Sequence, residues 1–327
     1  MDYAAYREDS SSLADRTLIR RASLGIKGKF GDWRFEVDYD FAGDGEFEDV
    51  RIGYEGWAAG NASMGQYKVP FGLEELTSYS TTTFIERSLA TEAFVPSRRL
   101  GLGFDRKGRR YTASAMAFGP EIDGDDRRGV GVRTTFAPLR ANGRLIHLGV
   151  AATIERAGNS VELRAPPEAR PGGYYLVRTG DLDDVDRIAL LGLETAWQRG
   201  PVSLQAEWMR TALRRTTGRP DLNFDGWYLV GSWFITGETR SYRDGTFKGV
   251  RTDRRGGAWE LVARYSHVSL DDRDIAGGSE RNVTFGVNWY VNDHLRLMLN
   301  YIDVHSQRHR VADNPKIFLM RAQLTFY

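Results

Sequence analysis

The 327-residue sequence contains no cysteine, which excludes disulfide bonds and thiolate metal sites. It also contains no run of about eighteen apolar residues, so it predicts no transmembrane helix. Basic and acidic residues nearly balance, 45 against 44, and the net charge of +1 gives no reason to expect nucleic acid or another acidic polymer as a partner. Bulk composition therefore excludes several classes of protein without indicating one.

Catalytic motifs are also missing. No GxSxG, HExxH or phosphate-binding glycine loop occurs, and no histidine lies in a recognisable nucleophile motif, the five being His147, His267, His294, His305 and His309. We therefore expect no catalytic residue, no metal and no cofactor. The enzymatic alternative is a hydrolase built into a membrane barrel, which would need a serine, a histidine and an orienting polar group that face one another.

No leader segment is recognisable at the start of the sequence. Met1 is followed directly by the polar, strand-like residues 2–6, without the apolar centre of a signal peptide. We expect this stretch to be the truncated remainder of a first strand, and an exported protein of this sequence to lack its natural N-terminus here.

What the sequence does contain is strict alternation of apolar and polar residues. Between 32 and 41, large apolar residues and charged residues take turns along the chain: Trp33, Phe35, Val37, Tyr39 and Phe41 against Arg34, Glu36, Asp38 and Asp40. Such alternation predicts a β-strand with one apolar and one polar face. The pattern returns along the chain and predicts sixteen strands of about ten residues, the length that crosses a bilayer when tilted.

The connections between these strands alternate in length. Tight turns are expected at 29–31, 59–61, 107–108, 199–200 and 292–293, and longer polar loops at 7–17, 69–98, 156–185, 213–222 and 268–279. Short turns at one end and long loops at the other are typical of outer-membrane β-barrels. A soluble β-sandwich would alternate in the same way, but it could not place so many charges opposite its apolar faces without burying them.

These patterns predict an all-β protein, a 16-stranded antiparallel transmembrane β-barrel formed by residues 1–327 as a single domain. We expect it to lie in the Gram-negative outer membrane, in contact with membrane lipid and lipopolysaccharide. One connection, 236–256, is long on the short-turn side and rich in arginine. It is expected either to attract anions by its local field or to be an ordinary solvated basic loop.

The loop 69–98 differs from the other connections. It contains apolar residues suited to packing, such as Phe71 and Phe84, and charged residues lie in it or beside it: Lys68, Glu74, Glu86, Arg87 and Arg98. A loop of this length inside a compact domain is usually functional. We hypothesise that it folds into the lumen as a constriction loop, and the alternative is a surface Ω-loop.

Several segments of the chain resemble a known family. They are IRRASLGIKGKFGDWRFEVDYDFAG (19–43), GQYKVPFGLEELTS (65–78), FIERSL (84–89), FITGETRSY (234–242) and GAWELVARYSHV (257–268). In these segments and their order, nearly the whole chain resembles the phosphate-selective porin O and P family. The resemblance implies a sixteen-stranded, homotrimeric outer-membrane porin whose third loop folds inward. It also implies a channel for small anions, such as phosphate or pyrophosphate, that leads them along arginines to a constriction.

The resemblance also implies pore residues. The paired arginines of the family's second strand match Arg20 and Arg21, the arginine of its ER pair matches Arg87, and its basic residue after DW matches Arg34. A carboxylate near the constriction matches Glu48 or Asp49. With Lys68 at the start of the long loop and Arg133, which strand parity turns inward, the candidate pore residues are Arg20, Arg21, Arg34, Lys68, Arg87, Arg133 and Asp49. Glu74, Glu86 and Arg98 are the candidates in the constriction loop.

The charge of the predicted lumen leaves its selectivity open. Strand parity turns nearly equal numbers of basic and acidic residues inward, so selectivity for anions would need basic residues gathered at the constriction. There a guanidinium can bind phosphate in a forked geometry, and rings of arginine and lysine are how anion pores are built. If arginines and carboxylates instead pair across strands, the result is a general, non-selective porin. The resemblance favours a passive anion channel through an Arg-lined constriction.

Overall fold

The computed structural model describes residues 1–7, 15–122, 124, 126–141, 143–158, 160–216, 218–252 and 254–326. Residues 8–14 of the predicted loop 7–17 lie outside the described residues. Across these ranges, no helix is both long enough and apolar enough to cross a membrane.

The first half of the chain forms ten strands. They are β1 Asp2–Arg7, β2 Arg16–Leu18, β3 Ser23–Phe30, β4 Trp33–Asp40, β5 Glu46–Trp57, β6 Gly60–Lys68, β7 Arg98–Lys107, β8 Tyr111–Phe118, β9 Arg128–Ala141 and β10 Arg144–Arg156. The long interval between β6 and β7 is the loop that the sequence sets apart.

The second half forms twelve strands. They are β11 Arg164–Ala165, β12 Val177–Arg178, β13 Val185–Arg199, β14 Val202–Arg215, β15 Leu222–Phe234, β16 Tyr242–Arg243, β17 Thr246–Phe247, β18 Ala258–Asp272, β19 Ile275–Tyr290, β20 Leu295–Arg308, β21 Val311–Asp313 and β22 Lys316–Leu324. Every predicted strand overlaps one of the observed strands, because alternation over several residues is a local signal that neighbouring segments do not alter.

Eighteen of these strands belong to one sheet, in which all the pairs are antiparallel. From β3 onward, each strand of this sheet pairs with the next one along the chain, except that β20 pairs with both β21 and β22. In addition, β22 pairs with β1, and β1 pairs with β2. The sheet therefore has more strands than the sixteen predicted, since β2 and β21 are short additional strands. Two hairpins, β11–β12 and β16–β17, form separate two-stranded sheets within connections that the sequence predicts as loops.

The two faces of the large sheet differ in chemistry. One face, here called the outward face, exposes large apolar side chains, and the other, here called the polar face, buries charged and amide side chains. Within β13, for example, Leu193 is 50% exposed and its neighbour Glu194 only 6%. This is the reverse of a soluble protein, in which charged residues are mostly exposed. It is the arrangement expected where lipid covers one face.

The chain around Arg20 and Arg21, which the resemblance places in a second strand, is interrupted between β2 and β3. In an unbroken strand, Arg20 and Arg21 would point to opposite faces of the sheet. The interruption lets both guanidiniums reach carboxylates on the polar side, because Arg20 bonds to Glu86 and Arg21 pairs with Glu48. The adjacent arginines thus leave the strand pattern, and both bind carboxylates on the polar side.

The segment between β6 and β7 contains helices that the sequence does not predict. They are α1 Leu73–Leu76 and α2 Leu89–Phe94, separated by a 3₁₀ turn over Tyr79–Thr81. Helices of four and six residues are too short to show a 3.6-residue period of apolar positions. The start of α1 is instead capped from β14, where the Glu207 carboxylate accepts the backbone N–H groups of Leu73 and Glu74 at 2.8 and 2.7 Å. Free N–H groups at a helix start need acceptors, and this one is distant in sequence.

A buried apolar cluster joins this segment to the connection 156–185. Leu89 and Phe94 of α2 lie in it together with Val177 of β12 and with Leu213 and Phe224 of the large sheet. Both long connections therefore pack against the sheet.

Candidate functional site

The segment 69–97 is held along the polar face by backbone hydrogen bonds to strand side chains. The N–H of Ile85 donates to Asn300 Oδ1 at 3.0 Å, and the N–H of Leu89 donates to Ser266 Oγ at 3.0 Å. Together with the Glu207 cap of α1, these bonds tie the segment to β14, β18 and β20.

Arginines of β20 and β22 donate to carbonyl groups of the same segment. Arg296 donates to the Thr82 carbonyl at 2.9 Å, and Arg321 donates to the Ile85 carbonyl at 2.7 Å. Because donors and acceptors of the segment are both satisfied by the polar face, the segment is fixed there instead of projecting into solvent. Its role as a constriction stays a prediction.

Three predicted basic residues converge on a residue that the sequence argument does not single out, Tyr79. The guanidinium carbons of Arg21 and Arg87 lie 3.8 and 3.9 Å from the centre of the Tyr79 ring, and Lys68 Nζ lies 5.2 Å from it. These are cation–π distances. Arg87 also donates to the Tyr79 hydroxyl and pairs with Glu75 at 2.6 Å. We call these four residues, Arg21, Lys68, Tyr79 and Arg87, the Tyr79 cluster.

Carboxylates border the Tyr79 cluster. Glu48 pairs with Arg21 and lies 3.5 Å from Arg98, whose Nε donates to Asp49 at 2.7 Å. Both carboxylates that the resemblance left as alternatives are therefore present, one on the cluster and one beside it. The positive charge of the cluster is balanced by residues of β5 and α1.

Arg20 belongs to a neighbouring ion-pair group centred on Glu86. Its Nε donates to Glu86 at 3.2 Å, while Arg321 and Arg170 approach the same carboxylate at 3.4 and 3.9 Å. Burial alone would raise the pKa of Glu86, but the guanidiniums of Arg20, Arg321 and Arg170 outweigh it and hold this pKa below its ordinary value. Glu86 therefore stays ionised and ties the loop to β22.

A cavity of about 490 Å³ brings together Arg34, Lys68, Arg133 and Asp49. Its charged lining consists of eight basic and four acidic residues: Lys27, Arg34, Arg51, Lys68, Lys107, Arg133, Arg243 and Lys248 against Glu36, Asp49, Asp105 and Asp244. The lining residues come mainly from β3 to β9, whereas the segment 69–97 is held by β14, β18, β20 and β22. Lys68 contributes both to this cavity and to the Tyr79 cluster.

The connection 236–256 is not an ordinary solvated loop. Its hairpin β16–β17 packs on the polar face, where the Gly245 carbonyl accepts from Arg133 at 2.8 Å and Phe247 is fully buried. Arg243 and Lys248 thereby reach the cavity lining. The sequence argument missed this, although an aromatic residue within a basic connection is a signal that the segment packs against something.

The remaining predicted residues lie apart from the Tyr79 cluster. Arg34 pairs with Glu55 at 3.2 Å, and Arg133 donates to Glu194 at 2.8 Å. Glu74 is buried, where its carboxylate accepts from Ser88, Thr91 and Arg264. It thus organises the segment 69–97 internally and does not line the cavity.

Comparison with known proteins identifies the family. The chain matches the family described as "Phosphate-selective porin O and P" over residues 1–326. It is 26% identical to Porin O of Pseudomonas aeruginosa over 366 aligned positions, which cover 97% of this chain and 84% of Porin O.

Solved structures share the fold at low sequence identity. The anion-selective porin from Comamonas acidovorans is 13% identical with a TM-score of 0.57, covering 98% of this chain and 96% of its own. The trimer form of OmpT from Vibrio cholerae is 11% identical with a TM-score of 0.61, covering 98% and 96%. Its antiparallel sheet is apolar on one face and polar on the other, and this chain is a channel of the Gram-negative outer membrane that belongs to the phosphate-selective porin O and P family.

Proposed function

We propose that this porin is a passive diffusion channel for small anions such as phosphate or pyrophosphate. The observation that carries the proposal is the excess of basic over acidic residues, eight against four, in the lining of the 490 Å³ cavity. A cavity with such an excess concentrates anions, because its low-dielectric walls focus the field of the charges. Narrowing by the segment 69–97 then brings the anion close to guanidinium groups.

The route that we propose has two parts. Anions collect in the basic cavity, lined by Arg34 and Arg133, and pass Lys68 to the Tyr79 cluster. There Arg21 and Arg87 present guanidiniums suited to forked contacts with phosphate oxygens. Arg21 pairs with Glu48 and Arg87 with Glu75, so an anion has to compete with a carboxylate at each step. Competition of this kind supports fast exchange instead of tight binding, as conduction requires.

We also propose a sixteen-stranded tube. Residues 19–22 connect β2 directly to β3, and β21 and β22 pair with successive parts of β20. Counting each of these two pairs as one interrupted strand reduces the eighteen strands to sixteen. The pairing of β22 with β1 and of β1 with β2 supports closure of the tube.

A general, non-selective porin is the second candidate, and the ion pairs favour it. Arg133 bonds to Glu194, and both Lys27 and Arg51 pair with Glu36. Pairs of this kind cancel part of the positive field. Arg243 and Lys248 are different, because no carboxylate in the described residues lies within ion-pair distance of either one.

The test is the reversal potential of the pore in a planar bilayer under a salt gradient. In an anion channel the reversal potential has the sign of the anion's equilibrium potential. The double variant Arg243→Gln/Lys248→Gln should shift it toward zero. Arg251→Gln/Arg255→Gln is the matched control, since it removes two charges from the same connection outside the cavity lining. A reversal potential near zero in the unmodified pore would contradict the anion channel and support the non-selective porin.

A second measurement addresses phosphate itself. If Arg21 and Arg87 contact phosphate, then added phosphate reduces the chloride current of the unmodified pore, and Arg21→Gln or Arg87→Gln removes this block. Absence of block in the unmodified pore would restrict the proposal to anions in general.

We propose a homotrimer, supported by family membership and by the similarity to the trimer form of OmpT. Analytical ultracentrifugation of the detergent-solubilised protein should give the mass of three chains of 36.9 kDa each, plus bound detergent. A monomer that conducts normally would contradict it.

A further inference from the structure

The outward face carries an unusual row of side chains at its short-turn end. The register aligns five residues across β9, β10, β13, β14 and β15: Ala141, Arg144, Arg199, Val202 and Trp233. Both arginines are exposed, and Val202 and Trp233 are 37% and 51% exposed. Two cations thus stand side by side next to exposed apolar side chains.

The two arginines are direct cross-strand partners. Arg144 is opposite Arg199 in the ladder between β10 and β13, so their side chains leave the sheet about 5 Å apart on the same face. Like charges in this relation repel each other. Within the described ranges, neither guanidinium has a hydrogen-bond or ion-pair partner. The repulsion is therefore not relieved by the chain itself.

The next row of the outward face shows where Arg144 and Arg199 lie relative to the membrane. Two residues further along the strands lie Ile146, Trp197 and Leu204, which are apolar and aligned with one another. Two residues of a strand span about 6.8 Å. The guanidiniums are therefore just beyond the apolar band, at the level where lipid headgroups replace hydrocarbon and where arginine is tolerated on a barrel exterior.

We propose that Arg144 and Arg199 form a binding site for the phosphate group of an anionic phospholipid. Short turns of outer-membrane barrels face the periplasm, so the lipid belongs to the periplasmic leaflet. Two adjacent guanidiniums offer forked donors to one phosphodiester, whose negative charge removes their mutual repulsion. Basic pockets at membrane surfaces recognise anionic headgroups in this way. Trp197 and Leu204 lie where the acyl chains begin.

The experiment is native mass spectrometry of the purified porin in detergent, titrated with phosphatidylglycerol or with zwitterionic phosphatidylcholine. The unmodified protein is expected to retain phosphatidylglycerol preferentially. Arg144→Gln/Arg199→Gln should weaken that binding by more than about tenfold, since the loss of a single charge-assisted contact already has that scale, and should leave phosphatidylcholine binding unchanged. Arg144→Lys/Arg199→Lys keeps both charges but loses the forked donors, so it should weaken binding to a smaller extent.

Arg106→Gln is the matched control. Arg106 is also exposed near the short-turn end, next to the outward residue Phe104, but it faces Ala113 and no second arginine. It should change phosphatidylglycerol binding less than twofold if the pair makes the site. Equal losses in Arg106→Gln and in the double variant would reduce the effect to general surface charge and overturn the proposal.

Two further outcomes would also overturn it. One is unchanged lipid binding in a folded double variant, with folding verified by heat-modifiable migration in gels. The other is an altered oligomer mass together with unchanged lipid binding, because the row would then contact another copy of the chain. If the glutamine variant fails to fold, the lysine variant decides by the same criteria.

Discussion

Replacement of Tyr79 tests whether stacking on this ring holds the segment 69–97 in place. The ring is half-buried, and Arg21 and Arg87 lie within 3.9 Å of its centre. At a partly exposed site each cation–π contact contributes about 0.5–1 kcal/mol, so Tyr79→Ala should weaken the segment by about 1–2 kcal/mol. This corresponds to roughly 5- to 30-fold more frequent local opening.

Hydrogen exchange measured by mass spectrometry reports this opening directly. Peptides from 69–97 should exchange about 5- to 30-fold faster in Tyr79→Ala, while peptides from β13 to β20 should be unaffected, since the ladder holds them independently. If the segment narrows the pore as proposed, single-channel conductance should rise, because a bulky ring is removed from it.

Tyr79→Phe is the control that separates ring from hydroxyl. It keeps both stacking contacts and loses only the hydrogen bond from Arg87. Exchange in Tyr79→Phe should stay close to that of the unmodified protein. If Tyr79→Phe exchanges as fast as Tyr79→Ala, or if neither variant differs from the unmodified protein, stacking on the ring does not hold the segment.

Three further predictions concern the same region. Deleting Thr77–Ala90 should raise single-channel conductance, since the segment is bound along the polar face; unchanged conductance would place it outside the path. Glu86→Gln should leave Arg20 without its carboxylate partner, while Arg321 keeps Asp2, and should shift the reversal potential further toward anions. Because the pKa of Glu86 lies below its ordinary value of 4.5, acidification to that pH should not reproduce the shift. Arg133→Gln should remove a positive charge from the cavity lining and the hydrogen bond to the Gly245 carbonyl. The reversal potential should therefore move toward cations, and hydrogen exchange in 242–247 should become faster. If neither quantity changes, Arg133 has neither role.

The strands were predictable because their signal is local. In β4, apolar residues at every second position specify one face over eight residues, whatever the rest of the chain does. The family resemblance was local in the same sense, because segments such as FIERSL are continuous. Arg21, Lys68 and Arg87 were named from such segments, and the structure brings all three to one aromatic ring.

The partners of these residues were not predictable in the same way. Tyr79 lies in a polar stretch, TSYSTTT, with no periodicity to indicate what it contacts. The hairpin β16–β17 has only two residues in each strand, too few for alternation to be seen. Its burial follows from contacts with β9 and β10, such as the hydrogen bond between Tyr242 and His147, which are distant in sequence.

The sequence by itself determined which side chains face lipid and which face water, because a side-chain period of two residues is a property of each strand alone. Only the tertiary structure decided which positive charges are neutralised. The partners Arg21 and Glu48, or Arg133 and Glu194, are 27 and 61 residues apart, and their contact depends on strand register and on where the long connections pack. The charge that remains available to an anion is therefore a property of the assembled sheet.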